Sequence, residues 1–207
     1  MLTIVLQMLA WLAFLTGTIA LGAWLRRQPS KRNAEITSWI LHFVFWLGIV
    51  PAAGLGFVYP GLTHFDGILG LSSLPRHWVL MTIGALGLLI GTYLIVVSNV
   101  ALRLWGQGAN AFWLTKRLVV GNIYQRMRNP MSLGLYLWSV GIGLLVGSTY
   151  LTLGALLVVI PVHVFYLKYF EECELALRMG PSYLEYKQRV PFLLPRWFSR
   201  QRQSSTQ

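Results

Sequence analysis

The stretch NPMSLGLYLWSVGIGLLVGSTYLTLGALLVVIPVHVFYL, from Asn129 to Leu167, contains no Asp, Glu, Lys or Arg. A helix needs about 20 residues to cross the hydrocarbon core of a bilayer, so this stretch is long enough for two spans. The residues Val146–Tyr150, VGSTY, are typical of a turn and predict a hinge between the two helices. The stretch therefore predicts a helical hairpin inside a membrane.

The composition of the whole chain agrees with a membrane protein. Its 207 residues are 56% hydrophobic and 11% charged, whereas a soluble domain carries about 25% charged residues. The formal net charge is +11, but the basic residues flank apolar segments, a pattern typical of a protein facing anionic lipid. We therefore expect membrane lipids and not nucleic acid as partners. The single cysteine, Cys173, excludes a disulfide framework within one chain.

Three further charge-free segments locate the other spans. A charge at the centre of a spanning helix costs roughly 2.5–3.5 kcal/mol, so gaps between charges mark helices. The gaps are residues 1–25, 36–65 and 77–102, and each is long enough for one helix. The predicted fold is all-α, with Pro51 and Pro161 kinking the second and fifth helices. The five predicted spans lie near 2–25, 37–59, 78–101, 132–147 and 150–168.

The distribution of basic residues predicts the orientation. With five predicted spans, 16 of the 17 Lys and Arg residues fall on one side of the membrane and only Arg76 falls on the other. Cytoplasmic loops carry the excess of Lys and Arg. We therefore expect the N-terminus outside, the C-terminus in the cytoplasm, and a location in a bacterial inner membrane.

Two polar segments in the second half of the chain lie on the predicted cytoplasmic side. Each has a structural and a functional interpretation. Gly106 and Gly108 could let the backbone approach a ligand, or could simply end a helix. Arg126 and Arg128 could bind an anion or serve as membrane anchors. Asn129-Pro130 is typical of a helix start, with Asn as the N-cap, and a helix N-terminus attracts anions.

A third piece contains the adjacent carboxylates Glu171 and Glu172 near the end of the last predicted span. They could bind a cationic ligand, or Lys168 and Arg178 could neutralise them in salt bridges. His64 and Asp66 in the outer loop could share a metal, but the sequence offers no third ligand. No metal site is therefore predicted.

In their order along the chain, these pieces resemble the integral-membrane methyltransferases that include isoprenylcysteine carboxyl methyltransferase and phosphatidylethanolamine N-methyltransferase. That family has an Arg-His/Asn-Pro-x-Tyr-x-Gly box, a helical hairpin, a Glu-Glu pair and a Tyr-rich tail ending in Val-Pro-x-x-x-Pro. The chain reads RNPMSLG, then a hairpin, then EECELALRMGPSYLEYKQRVPFLLPRW. The resemblance covers roughly residues 103–197. A membrane region at 1–102 precedes it and a polar tail at 198–207 follows it, of which Gln201–Gln207 is expected to be disordered.

The resemblance implies a methyltransferase that uses S-adenosylmethionine and a lipophilic acceptor reaching the site from the bilayer. Arg128 and the helix N-terminus suit the carboxylate of this donor, and the two glutamates suit its ammonium or its ribose hydroxyls. Arg128 and Glu172 are the implied catalytic residues, with Glu172 as a base if the acceptor is an amine. The implied donor-binding residues are Gly106, Gly108, Tyr124, Arg128, Asn129, Pro130, Gly134, Glu171, Glu172, Tyr183 and Tyr186.

The chain departs from the family pattern at two positions. Asn129 stands where the eukaryotic members have His, and Ser132 replaces the usual Tyr, which removes an aromatic wall from the donor pocket. Activity on a carboxylate acceptor is the first hypothesis, and a phospholipid or amine N-methyltransferase is the alternative. A scaffold that kept the fold without the donor site is a rival of another class. A small transporter is a weaker one, because ionisable groups are scarce within the spans.

Overall fold

The computed structural model describes residues 1–106 and 114–195, and within them the chain forms helices and no strand. This confirms the predicted all-α class. A short 3₁₀ turn, Asn122–Gln125, lies between the fourth and fifth helices. The helices are α1 Leu2–Arg27, α2 Lys31–Val58, α3 Phe65–Leu69, α4 Trp78–Trp105, α5 Pro130–Val146, α6 Thr149–Met179 and α7 Pro181–Arg189.

Four of these helices, α1, α2, α4 and α6, are long and apolar enough to cross a membrane. Helix α5 is apolar and has 17 residues, the lower limit of the length that spans a bilayer. The predicted hinge is present: Gly147 ends α5 with a left-handed backbone, and the Ser148 hydroxyl accepts a hydrogen bond from Leu151 N–H at the start of α6.

Two helices extend further than their charge-free segments. Helix α2 begins at Lys31, because the Ser30 hydroxyl caps it by accepting from the backbone N–H of Asn33 at 3.0 Å. Helix α6 continues to Met179, beyond the predicted end at residue 168. The glutamates of the sequence EECE are therefore part of the same helix as the last predicted span.

The two prolines within helices each follow a π-helical turn. Val44–Ile49 precedes Pro51, and Ala155–Val159 precedes Pro161. A proline cannot donate a backbone hydrogen bond, and a wider turn is one way in which a membrane helix adjusts around it. A third π-helical turn, Leu167–Glu171, has no proline and leads directly to the second glutamate.

Helices α4 and α5 are held together by glycine contacts. A Cβ atom on Gly91 would lie 2.6 Å from the Gly134 carbonyl oxygen, and one on Gly134 would lie 2.7 Å from the Gly91 carbonyl oxygen. A second contact of this kind joins Gly84 and Gly141. Small residues let membrane helices approach closely enough for backbone packing. The start of α5 is thereby fixed against α4.

At the opposite end of the hairpin, Asp66 caps helix α6. Its buried carboxylate accepts hydrogen bonds from Thr149 N–H at 3.0 Å, Tyr150 N–H at 2.7 Å and the Ser148 hydroxyl at 3.2 Å. A carboxylate at a helix N-terminus also favours the helix dipole. Asp66 is therefore a structural cap, and within the described ranges no group of three metal-binding side chains forms.

Substitution of this cap should destabilise the hairpin. We expect Asp66→Ala to lower the free energy of unfolding by about 2 kcal/mol, because it removes a buried acceptor and leaves its donors without a partner. Thermal unfolding in detergent, measured by circular dichroism, checks this, with the neighbouring exposed Thr63→Ala as the control. An unchanged unfolding temperature for Asp66→Ala would contradict the assigned role.

Candidate active site

A cavity of about 440 Å³ lies among α1, α2, α4, α5, α6, α7 and the segment before α5. Four charged side chains and three tyrosines line one region of it, which we call the polar end: Tyr124, Arg128, Glu171, Glu174, Arg178, Tyr183 and Tyr186. Membrane-helix side chains line the other region, which we call the apolar end: Phe14, Leu41, Phe45, Trp46, Val50, Ile95, Leu135 and His163.

Side-chain contacts set the order of the two ends along the helices. Glu174 hydrogen-bonds Ser38 near the start of α2, whereas the ring of His163 lies 6.0 Å from that of Phe45, further along the same helix. Eight residues separate His163 from Glu171, a rise of roughly 12 Å along a helix. The polar end of the cavity thus lies at the helix ends that have the basic residues, and the apolar end lies deeper between the helices.

Arg128 lies just before α5 and contacts a carboxylate on α6. Its Nη1 lies 2.7 Å from Glu172 Oε1, and Lys187 Nζ on α7 lies 2.6 Å from Glu172 Oε2. Glu172 therefore holds a cation from each side. The Arg128 side chain is 10% exposed, and its Nε has no hydrogen-bond partner in the described parts of the chain. A buried guanidinium with a spare donor is suited to binding an anion from the cavity.

The residues around Asn129 are hydrogen-bonded to residues 190–195, which follow α7 and which we call the tail. The backbone N–H of Arg128 donates to the Pro191 carbonyl at 2.9 Å, and Asn129 Nδ2 donates to the Phe192 carbonyl at 3.0 Å. Asn129 is the N-cap residue and Pro130 the first residue of α5, as predicted, but the Asn129 side chain makes no capping hydrogen bond. Its amide instead donates to the tail.

Phe192 makes a further contact between the tail and the site. The Arg128 guanidinium carbon lies 5.6 Å from the centroid of its ring, and Lys168 Nζ lies 4.9 Å from it. Cations over an aromatic face are attracted to it. The tail therefore fixes Arg128 through both its backbone and its side chain.

Glu171 differs from the other glutamates of this region in having no partner among the described residues. Glu172, Glu174 and Glu185 each form ion pairs, whereas Glu171 makes neither an ion pair nor a hydrogen bond with any residue in the ranges 1–106 and 114–195. It is the last residue of the third π-helical turn and lines the polar end. A carboxylate that faces a cavity without a partner in the described ranges is costly in the absence of a cationic ligand.

Three tyrosines surround this carboxylate and the arginine. The Tyr186 hydroxyl donates to the Tyr124 carbonyl at 2.7 Å, which links α7 to the segment before α5. Burial raises the pKa of the Tyr124, Tyr183 and Tyr186 phenols well above their ordinary value. The phenols therefore stay neutral at physiological pH and offer flat rings and hydroxyl donors.

Glu174 is a polar-end residue that the sequence reasoning missed. It is 2% exposed, forms an ion pair with Arg178 and hydrogen-bonds Ser38. Arg178 also donates to the Thr115 carbonyl. Arg178 therefore forms its ion pair with Glu174 and not with Glu171 or Glu172, whereas Glu172 pairs with Arg128 and Lys187. The spacing could have revealed this: Glu174 lies three residues after Glu171 and four before Arg178, and such residues share a helix face.

The predicted glycines and Glu172 differ from the other site residues in position. Gly106 ends α4 through its N–H bond to the Leu102 carbonyl, and Gly134 lies in the α4–α5 contact. Neither glycine, nor Glu172, is among the described residues that line the cavity. Gly108 lies outside the described residues. The cavity brings together the other predicted residues: Tyr124, Arg128, Asn129, Pro130, Glu171, Tyr183 and Tyr186.

Residues 79–177 match the phospholipid methyltransferase family. The matched region contains nearly all of α4, all of α5 and most of α6, with Arg128 and the four residues EECE, and it ends before Tyr183 and Tyr186. No curated protein and no solved structure matches the chain.

Proposed function

We propose that this chain, whose residues 79–177 match the phospholipid methyltransferase family, uses S-adenosylmethionine to methylate a lipophilic acceptor. The observation that carries the proposal is the cavity with two unlike ends. Its polar end has an arginine with a spare donor and an unpaired carboxylate, and its apolar end lies between membrane helices. A polar, charged donor and an apolar acceptor can therefore meet in one cavity.

The side chains at the polar end fit the chemical groups of the donor. S-adenosylmethionine supplies a methyl group on a cationic sulfur, and it also has an ammonium group, a carboxylate and an adenosine. The free Nε of Arg128 suits the carboxylate. Glu171 suits the ammonium or the sulfonium, because it is a carboxylate without a cation of its own. Tyr124, Tyr183 and Tyr186 supply aromatic faces for the adenine.

Glu172 has a positioning role in this proposal. Its two oxygens contact Arg128 and Lys187, so it orients the arginine and ties α7 to α6. Adjacent helical residues point about 100° apart. Glu171 can therefore face the donor while Glu172 holds the residues around it.

Methyl transfer depends mainly on alignment and on exclusion of water. The α4–α5 glycine contact fixes the start of α5 next to Arg128, and the tail closes over it through Pro191 and Phe192. The chain thus holds Glu171, Tyr183 and Tyr186 on helices, and Arg128 directly before α5. The apolar end lets an acceptor reach the donor from the bilayer.

The proposed location is a bacterial inner membrane, with the polar end facing the cytoplasm. Arg128, Arg178 and Lys187 lie at the polar end or beside it, and Arg26 at the end of α1 contacts the Tyr169 carbonyl close by. Basic residues are retained on the cytoplasmic side. The donor would therefore reach the polar end from the cytoplasm.

A scaffold that has lost the donor site is the rival hypothesis. The Arg128–Glu172 pair alone would suit it, since each charge satisfies the other. Glu171 favours the enzyme, because a purely structural protein gains nothing from a carboxylate that faces a cavity without a partner. An N-methyltransferase and a carboxyl methyltransferase share this donor site and differ only in the acceptor.

A transfer assay tests the proposal. Purified protein in nanodiscs made from bacterial membrane lipid extract is supplied with S-adenosylmethionine that has a tritiated methyl group. We expect tritium to enter the organic-solvent extract with time and in proportion to the protein, and Arg128→Ala to abolish this. Arg103→Ala, a substitution of an exposed arginine at the end of α4, is the control. No transfer above the Arg128→Ala background with any lipid extract or added acceptor would favour the scaffold.

A further inference from the structure

Two hydrogen-bonded polar side chains lie at the apolar end of the cavity. The Tyr136 hydroxyl on α5 and His163 Nδ1 on α6 are 2.8 Å apart, and both residues are buried. His163 lines the cavity, and in the described parts of the chain its other nitrogen, Nε2, has no hydrogen bond. One imidazole nitrogen is therefore fixed by tyrosine while the other remains available to a molecule in the cavity.

Surrounding rings hold the imidazole in place. The ring of His163 lies 6.0 Å from that of Phe45 and 5.6 Å from that of Tyr166, and Tyr136 meets it edge-on at 5.7 Å. An imidazole packed in this way on three sides has little freedom to turn. Its Nε2 therefore has a fixed position relative to the polar end.

The charges around the cavity are confined to its polar end. The described side chains that line the cavity include four charged groups, Arg128, Glu171, Glu174 and Arg178, and the apolar end has none of them. A phosphate, carboxylate or ammonium group placed there would lose its water without gaining a counter-ion. The acceptor group that reaches the apolar end should therefore be uncharged.

Among the described residues that line the polar end, neither arginine is left for an anionic acceptor. Arg178 is engaged by Glu174 and by the Thr115 carbonyl. Arg128 is shared between Glu172 and, under the proposed function, the donor carboxylate. Neither arginine remains for the phosphate of a phospholipid or the carboxylate of a prenylated cysteine.

We propose that the acceptor is an apolar molecule with an uncharged hydroxyl or thiol, and that His163 binds this group and takes its proton during methyl transfer. This inference rests on the proposed function and specifies its substrate class. Tyr136 is a positioning residue that acts through His163. The tautomer required has the proton on Nδ1, donated to the Tyr136 oxygen, so that Nε2 presents its lone pair to the acceptor.

The step balances in atoms and in charge. The oxygen or sulfur of the acceptor forms a bond to the methyl carbon while the carbon–sulfur bond of S-adenosylmethionine breaks and its electron pair stays on the donor sulfur. The proton of the acceptor moves to Nε2. One positive charge disappears from the sulfonium as one appears on the imidazolium, so the net charge of the enclosed site does not change. The proton passes to water after the product leaves.

A comparison of acceptors tests the substrate class. The protein in phosphatidylcholine nanodiscs is given labelled S-adenosylmethionine with 1-dodecanethiol, 1-dodecanol, phosphatidylethanolamine or N-acetyl-S-farnesylcysteine. We expect methylation of the thiol or of the alcohol, at a rate at least 10-fold above that of the two charged acceptors. Faster transfer to phosphatidylethanolamine or to the farnesylcysteine would overturn the inference and leave the proposed function standing.

Variants test the role assigned to His163. We expect His163→Gln to lower kcat by about 100-fold or more, the usual contribution of a general base, with the Kd for S-adenosylmethionine unchanged. Tyr136→Phe should lower kcat less and shift the pH profile of kcat, which a purely structural role would not do. The controls are His64→Gln in the outer loop and Tyr93→Phe, which is 60% exposed on α4. A full rate for His163→Gln would overturn the role of the histidine.

A binding readout separates loss of chemistry from loss of the cavity. Trp46 lines the apolar end, so 12-bromo-1-dodecanol bound there should quench its fluorescence without any donor present, and Trp46→Phe should remove this component. We expect quenching to persist in His163→Gln. If quenching is absent from the wild type, the acceptor assignment is wrong. If S-adenosylmethionine does not bind, the proposed function fails and the inference fails with it.

Discussion

Replacement of Glu171 by Gln should weaken the binding of S-adenosylmethionine by roughly 100-fold, corresponding to about 2.7 kcal/mol. Glu171 is the polar-end carboxylate without a partner of its own within the described ranges. Loss of one member of a buried charge pair costs about 2–5 kcal/mol, because the remaining charge stays desolvated. Gln keeps the size of the side chain and removes its charge, so calorimetry on the purified variant measures the electrostatic contribution.

Glu185→Gln is the matched control for this experiment. Glu185 lies on α7, is 65% exposed and pairs with Arg189 on the surface, where ion pairs contribute little. We expect its affinity for S-adenosylmethionine to equal that of the wild type. Equal affinities for Glu171→Gln and Glu185→Gln would remove Glu171 from the donor site.

Substitution of Gly91 by Leu should prevent the hairpin from docking on α4. The Cβ atom alone would lie 2.6 Å from the Gly134 carbonyl oxygen and 3.1 Å from the Trp138 backbone nitrogen, so the backbones of α4 and α5 would have to separate. Overpacking costs about 1–3 kcal/mol when side chains can adjust, and the cost rises when the obstacle is backbone. We expect aggregation during purification, or an unfolding temperature at least 10 °C lower.

Gly54→Leu controls for the added bulk of the side chain. Gly54 lies in α2, and a Cβ atom there would meet nothing within 4 Å, so this variant should behave as the wild type. Normal folding of Gly91→Leu would show that α4 and α5 do not depend on this crossing. Because Gly134 lies on the other side of the same contact, Gly134→Leu should behave like Gly91→Leu and unlike a variant of the donor site.

Much of the fold follows from where charges are absent. The segment from Asn129 to Leu167 predicts both helices of the hairpin and the turn at Gly147-Ser148. The ends of α2 and α6 were predicted less well, because a helix can continue past the membrane boundary with charged side chains once it is capped. The Ser30 cap and the run from Lys168 to Met179 are examples.

The candidate site was predicted in its composition but not in its arrangement. Glu171 and Glu172 are adjacent in the sequence, yet one faces the cavity and the other contacts Arg128 and Lys187. A π-helical turn at Leu167–Glu171 changes the phase of the helix at this point, and no simple sequence pattern predicts such a turn. The sequence does not show whether Gly134 and Asn129 face a ligand or another part of the chain. Their contacts in the structure were needed to assign their roles.

The central claim is that one cavity in this chain binds S-adenosylmethionine. The most direct measurement is a calorimetric titration of the wild-type protein in nanodiscs with S-adenosylmethionine, and with S-adenosylhomocysteine as the product. The account predicts saturable binding of both, with one molecule bound per chain. No heat of binding from either compound at millimolar concentration would contradict it and would leave a membrane protein that matches this family over residues 79–177 without a donor site.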